Sequence, residues 1–238
     1  QRLVTSNPTP AYVYRCGQAF ANNGSGVRGD MKKVVKTILM DYEARTPSVA
    51  AQTGYGKLRE PIVRFGGLMR SLGATTSTGD NRLRYYWLDS PEWGLGQNPL
   101  RSTTVFNFFE PSYAQPGEIA QAGLVSPEFK ITTETTAFGT PNFLRGVLFE
   151  GWMYDDPDTN AKEELLFDWS PWSALTDAQV LDRINLLFYA GSMSSGTRTI
   201  MAAALADPDL VWPPNDRVKK IKEMIWLTFL SPESLIQK

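Results

Sequence analysis

Residues 30–42 read DMKKVVKTILMDY, and this stretch decides the fold class. Met31, Val34, Val35, Ile38, Leu39 and Tyr42 recur at i, i+3, i+4, i+7, i+8 and i+11, the spacing of one helical face. Lys32, Lys33 and Lys36 take the opposite side, Asp30 is a good N-cap, and Pro47 lies beyond the end. The same period returns in Ile62, Phe65, Leu68, Met69 and Leu72, where Pro61 fits a first turn and Glu60 an N-cap. Gly66 and Gly67 are costly inside that helix and predict close approach of another backbone. Thr176 and Gln179 form a capping box, stapled by Leu175 and Val180, ahead of Leu181, Ile184, Leu187 and Phe188. Val218, Ile221, Met224, Ile225 and Phe229 mark a last long helix.

Shorter helices are expected over 11–21, 142–152 and 197–205. In the first of these, Val13, Cys16 and Phe20 form the apolar stripe, so Cys16 reads as a small buried hydrophobe. Residues 131–136 favour β geometry, Thr140-Pro141 breaks the pattern after them, and 154–164 reads as an acidic loop. Roughly six or seven helices joined by long aromatic-rich connections make a mainly α, irregular multi-helix fold with little β. Residues 1–238 read as a single domain.

Between these helices lies LRSTTVFNFFEPSYAQP, residues 100–116. It holds Phe106, Phe108, Phe109 and Tyr113 close together, and Pro111 and Pro116 prevent a long helix. So apolar a segment is expected to be a buried, irregular crossing whose backbone needs polar partners. Arg59, Glu60, Arg101, Asn107 and Glu110 are the candidate binding residues, expected as a buried polar network that anchors this segment.

The composition removes several classes of chemistry. The net charge is −1, which gives no electrostatic case for nucleic acid or an anionic membrane. The chain contains no histidine, which excludes Ser-His and Cys-His catalysis and His-ligated metals within it. Cys16 is the single cysteine, so neither an intrachain disulfide nor a Cys-based zinc cluster can form. No apolar run approaches the ~20 residues of a membrane-spanning helix.

Some motifs remain. Gly24-Ser25-Gly26-Val27-Arg28-Gly29 matches GxGxxG, but a helix precedes it where a nucleotide fold needs a strand, so it reads as a helix–helix connection. Asp156, Asp158 and Asn160 match the first half of a calcium loop and are the candidate metal ligands, although Gly and Glu are missing from the positions that complete an EF-hand. Gly191–Gly196 is out of register for a nucleophile elbow. Glu60, Glu110, Glu128, Glu134 and Glu150 could supply a general acid and base, but no spacing brings two together. Seven tryptophans, among them Trp93, Trp152, Trp169 and Trp172, could stack on sugars if exposed.

QRLVTSNPTPAYV, FANNGSGVRGDMKKVVKTIL, KLREP, STTVFNFFEPSY and GLVSPEF follow one another from Gln1 to Phe129, and LTFLSPESLIQK closes the chain. In this order they resemble the motifs of the bacterial domain of unknown function 1800 family (DUF1800); the match weakens between Asp155 and Asn215. The resemblance implies that the chain corresponds to the C-terminal half of such a protein, the other half being helical with an acidic motif. It implies export to the periplasm or cell surface, and a partner in that upstream half or in a neighbouring exported protein of the alkaline-phosphatase and sulfatase type. It supplies no catalytic residue. The leading expectation is therefore an exported binding or assembly component of the cell envelope. The alternative is a hydrolase of an envelope polymer whose site is shared with the upstream half. Carbohydrate binding through exposed tryptophans is a third reading.

Overall fold

The computed structural model describes residues 1–83, 87–105, 107–155 and 162–238. In chain order its elements are α1 (Pro10–Ala21), α2 (Met31–Met40), α3 (Tyr42–Arg45), α4 (Pro47–Ala50), β1 (Lys57–Leu58), α5 (Pro61–Ser71), β2 (Thr75–Thr76), α6 (Glu118–Gln121), α7 (Glu134–Glu150), β3 (Trp152–Asp155), β4 (Lys162–Leu166), α8 (Ser170–Ser173), α9 (Asp177–Tyr189), α10 (Ser195–Ala206), α11 (Arg217–Thr228), α12 (Pro232–Leu235) and β5 (Ile236–Gln237). The fold is mainly α with irregular multi-helix packing, as the helical periods predict. The chain forms two compact units, one of Gln1–Arg59, Thr103–Ile131 and Ile236–Lys238, the other of Glu60–Ser102 and Thr132–Leu235.

The larger unit is built on the stripes read from sequence. Phe65 and Leu68 of α5, Phe143, Leu144, Val147 and Leu148 of α7, Val180, Leu181 and Ile184 of α9, Met201 and Leu205 of α10, and Ile221, Met224 and Ile225 of α11 make one core. Its aromatic rings meet edge to face, Phe65 on Phe143 at 5.4 Å and Phe188 on Phe229 at 5.6 Å. The capping box at Thr176 forms: its N–H donates to Gln179 Oε1 at 2.9 Å, and Gln179 N–H donates to Thr176 Oγ1 at 3.4 Å.

Several local expectations are corrected. Residues 131–136 do not form a strand; Thr133 and Thr136 use their hydroxyls to cap α7. That helix runs through Pro141, whose carbonyl accepts the Trp226 indole N–H at 2.9 Å, because burial of its apolar face outweighs the missing backbone donor. Residues on either side of 156–161 are not loop but antiparallel strands, with Trp152 opposite Glu164 and Asp155 opposite Lys162. The second edge of β4 pairs β2, Thr75 opposite Leu166.

Among the described residues Gly66 and Gly67 bring no other backbone close: the nearest group to an added Cβ is the Arg70 guanidinium at Gly66, and nothing lies within 4 Å at Gly67. The close approaches occur elsewhere. A Cβ on Gly94 would meet the Trp87 carbonyl at 2.3 Å, and one on Gly139 the Pro91 carbonyl at 2.2 Å. These contacts fold residues 87–97 into a tight knot against the start of α7, with Leu88 and Leu95 buried beneath it. Leu95 N–H donates to the Leu88 carbonyl at 2.8 Å, closing the knot.

The smaller unit has a different interior. Its buried apolar residues are Tyr12, Ala19, Val34, Leu58 and Phe109, among the described residues, beside the buried polar Thr5, Ser6, Glu43, Lys57, Ser126 and Glu128. The antiparallel pair β1–β5, Lys57 opposite Gln237, lies in this unit. So few apolar contacts leave polar networks to fix its geometry.

Candidate functional site

In the smaller unit, the helical hairpin α1–α2 and the residues just past it carry a set of three paired ionisable groups, Arg15, Asp41 and Glu43. Arg15 on α1 reaches the chain just past α2. Its Nε donates to Asp41 Oδ2 at 2.6 Å, and its Nη2 donates to Asp41 Oδ1 at 2.8 Å and Glu43 Oε1 at 2.9 Å. Thr9, the N-cap of α1, donates its hydroxyl to Glu43 Oε1 at 2.8 Å, and Tyr42 adds its phenol at 3.2 Å. The guanidinium carbon lies 4.6 Å from the Tyr42 ring centroid and 5.7 Å from that of Tyr12. Tyr55 donates to the Glu43 carbonyl at 2.7 Å, and Tyr12 donates to that of Ile38.

Hydrogen bonds from Arg15 hold the Asp41 carboxyl below its ordinary range. Burial alone would raise that of Glu43, but the bonds from Arg15, Thr9 and Tyr42 outweigh it and bring it below its ordinary value. Burial first, then the nearby Cys16 and Asp41, push the Tyr12 phenol up to about 12. Both carboxylates are thus ionised and saturated with donors, which suits a clamp rather than a proton-transfer pair.

The loop that joins the two helices is equally tied. Asn22 Oδ1 accepts from the N–H groups of Gly24 and Gly26, and Asn23 Oδ1 from those of Ser25 and Val27, at 2.8 to 3.3 Å. Asn23 Nδ2 donates to Asp30 Oδ2 at 2.8 Å, and Asp30 Oδ1 caps α2 through Lys33 N–H at 3.1 Å. The backbone donors that a phosphate would need are taken by asparagine side chains, so the GxGxxG stretch serves as a helix connection.

This rigid hairpin presents apolar side chains to solvent. Val34 is buried, but Met31, Val35 and Leu39 are 58%, 39% and 43% exposed. They stand at i, i+4 and i+8, one stripe along α2. On α1 the buried positions are Tyr12 and Ala19, while Val13 and Phe20 are exposed and Cys16 is half-buried; the expected inward stripe is rotated. Arg15 explains the rotation: the clamp with Asp41 and Glu43 fixes which face of α1 turns inward. Cys16 borders an apolar cavity of about 160 Å³ with Val4, Pro8 and Ile38, and burial pushes its thiol up, away from the reactive thiolate.

The candidate binding residues do not form one buried network. Arg101 is mostly exposed and pairs with Asp89 at 3.0 Å. Glu110 is mostly exposed and pairs with Lys130 at 2.5 Å. Asn107 is half-buried at φ 71°, its N–H donating to the Thr104 carbonyl at 3.2 Å. Arg59 is half-buried, and burial lowers its guanidinium from the ordinary value. Glu60 is the N-cap of α5 as expected, but it makes no side-chain capping bond there. Gln97 does so instead, accepting from Ile62 N–H at 3.1 Å and donating to Glu60 Oε2 at 2.7 Å. Within residues 100–116, Phe109 is buried but Leu100 and Val105 stand in solvent; Phe106 lies outside the described residues. Two prolines and surface ion pairs let the segment follow the surface rather than cross the interior. Asp156, Asp158 and Asn160 also lie outside the described residues.

Sequence reasoning missed Arg15, Asp41, Glu43 and Gln97. Arg15 gave one signal: a charged residue between Tyr12 and Ala19 on what proves to be the inward face. It also left Glu128 undistinguished, yet of the five acid candidates it alone is buried, joined to Lys57 and bordering a cavity of about 200 Å³ with Arg2 and Phe109. Among the described residues no cluster of three or more Cys, Asp or Glu side chains could hold a metal ion, and no helix is long and apolar enough to cross a membrane.

No curated protein and no solved structure matches the chain. A family model does, over residues 1–235, and its description is "Protein of unknown function (DUF1800)". With nearly its whole length so matched, the chain belongs to the DUF1800 family.

Proposed function

We propose that this chain is a binding or assembly component of the bacterial cell envelope, exported, which docks a protein partner through the exposed face of the α1–α2 hairpin. The observation that carries the reading is the stripe Met31, Val35 and Leu39, displayed by helices locked in place by Arg15, Asp41 and Glu43. Fully burying each such side chain is worth roughly 1.5–3 kcal/mol. A rigid stripe at helical spacing fits an amphipathic helix laid along it. Family membership supports export and location in the envelope only through the resemblance described above.

The hydrolase alternative has weaker support. Asp41 and Glu43, two carboxylates that share the Arg15 guanidinium, are occupied by Arg15, Thr9 and Tyr42. A photo-crosslinking residue at position 39, used in the native host, tests the docking reading. One defined protein crosslinked there, and its loss with Val35→Asp at unchanged melting temperature, is the expected result. Absence of any crosslink from position 39, with efficient crosslinking from the Glu128 cavity to a polymer, would overturn it.

A further inference from the structure

We infer that the partner docked on the α1–α2 hairpin presents an amphipathic helix with one acidic edge, whose Asp or Glu side chains meet Lys32 and Lys36. The inference rests on the docking reading above and names the chemistry of the partner. On α2, Lys32 follows Met31 and Lys36 follows Val35. At about 100° of turn per residue, the two lysines form the outer border of the stripe Met31, Val35 and Leu39. The inner border is the side of α2 on which Val34 is buried. The exposed apolar stripe therefore has cations along one edge only. From Met31 to Leu39 it runs about 12 Å along the axis, a length that about two turns of a partner helix cover.

Charge complementarity decides the occupant. Among the described residues Lys32, Lys33 and Lys36 are exposed and make no ion pair. The carboxylates nearest in sequence are committed elsewhere. Asp30 accepts from Asn23 Nδ2 at 2.8 Å and caps α2 through Lys33 N–H. The Asp41 and Glu43 side chains are 5% and 6% exposed, held by Arg15. From Pro10 to Met40 the sequence sets Arg15, Arg28, Lys32, Lys33 and Lys36 against Asp30 alone. The chain carries −1 overall, so this positive charge is local. It acts at contact, within a Debye length of about 10 Å, rather than drawing the whole chain to an anionic surface. The apolar face also has a notch. Ile38, nearly one turn on from Val35, lines the cavity of about 160 Å³ together with Val13 of α1. A discrete cavity beside the stripe receives one apolar side chain at a fixed place, which fits a protein helix better than a bilayer.

The test uses the photo-crosslinking residue at position 39 of the complete chain in the native host. It compares the parent with Lys32→Glu/Lys36→Glu and with Lys32→Arg/Lys36→Arg, and thermal melts verify that these exposed changes leave the fold intact. Mass spectrometry of the crosslinked peptide reads the chemistry of the contact. The expected peptide has apolar residues at helical spacing and Asp or Glu along one edge. Its yield should fall roughly tenfold or more on charge reversal and be kept by the arginine pair. A protein crosslink that survives charge reversal, or a contact segment without carboxylates, overturns the acidic edge and leaves the docking reading standing. Absence of any protein crosslink overturns both. If phosphatidylglycerol vesicles then carry down the parent chain but not the charge-reversed one, the face is a membrane surface and the inference is overturned in its favour.

Discussion

Lys57 Nζ lies 2.8 Å from Glu128 Oε1, with the two side chains 4% and 2% exposed. Lys57 also donates to the Arg2 carbonyl at 2.7 Å, and the Ser6 hydroxyl reaches Glu128 Oε2 at 3.4 Å. Two charges removed from water in this way stabilise little relative to an apolar pair, but each is costly without the other. Lys57→Met alone or Glu128→Leu alone should therefore destabilise the smaller unit by about 3–5 kcal/mol. The double variant Lys57→Met/Glu128→Leu should lose far less than the sum of the single changes. Urea denaturation of the four proteins measures this cycle; additive losses would show that the two side chains act independently.

The clamp of Arg15 on Asp41 and Glu43 predicts how stability responds to acid. Both carboxyls sit below their ordinary range in the folded chain, so both bind protons more weakly than in the unfolded chain. The stability they contribute is full above the unfolded values, about 3.9 for Asp and 4.3 for Glu. It is lost as pH falls through that range and on through the lower folded values. Arg15→Gln removes the partner, raises both folded values, and should move the acid-unfolding midpoint to higher pH. Fluorescence-monitored acid titration of both proteins tests this; coincident midpoints would mean that the clamp contributes no linkage.

Much of the larger unit was legible because its helices obey one rule. Leu68, Ile184 and Ile221 are buried where the helical period places them, and Thr176 and Gln179 cap where residue type alone places them. The smaller unit was less legible because its inward faces are chosen by contacts distant in sequence. Val13 and Phe20 form as good a stripe on paper as Tyr12 and Ala19; only the meeting of Arg15 with Asp41 selects between them. The candidate network failed for a related reason. Arg101 and Glu110 lie near aromatic residues in sequence, but each has a surface partner that spacing does not reveal.

Gln97 supplies a further prediction. Pro61 has no N–H, so the first donor of α5 that needs an acceptor is Ile62 N–H, and the N-cap Glu60 side chain does not provide it. The buried Gln97 amide accepts from Ile62 N–H and donates to the Glu60 carboxylate. Gln97→Ala should cost about 1–2 kcal/mol, the loss of a cap together with a buried bond. Gln97→Glu should not restore the lost stability, because it keeps the acceptor but places a second carboxylate against Glu60. Thermal denaturation of the two variants decides this; equal stability of Gln97→Glu and the parent would show that the amide donor is dispensable.

The glycines of α7 give the sharpest contrast between sequence rule and structure. Helix propensity treats Gly139 and Gly146 alike, and predicts that alanine at either should stabilise by about 0.5–1 kcal/mol. Their surroundings differ. Among the described residues an added Cβ at Gly146 meets nothing within 4 Å, whereas one at Gly139 would stand 2.2 Å from the Pro91 carbonyl oxygen and 2.9 Å from that of Glu92. Backbone oxygens cannot swing aside as a side chain can, so Gly139→Ala must push the knot of residues 87–97 off α7. Gly146→Ala is expected to raise the melting temperature slightly, and Gly139→Ala to lower stability by about 1–3 kcal/mol. A Gly139→Ala protein as stable as the parent would mean that the knot does not rest on α7 as described.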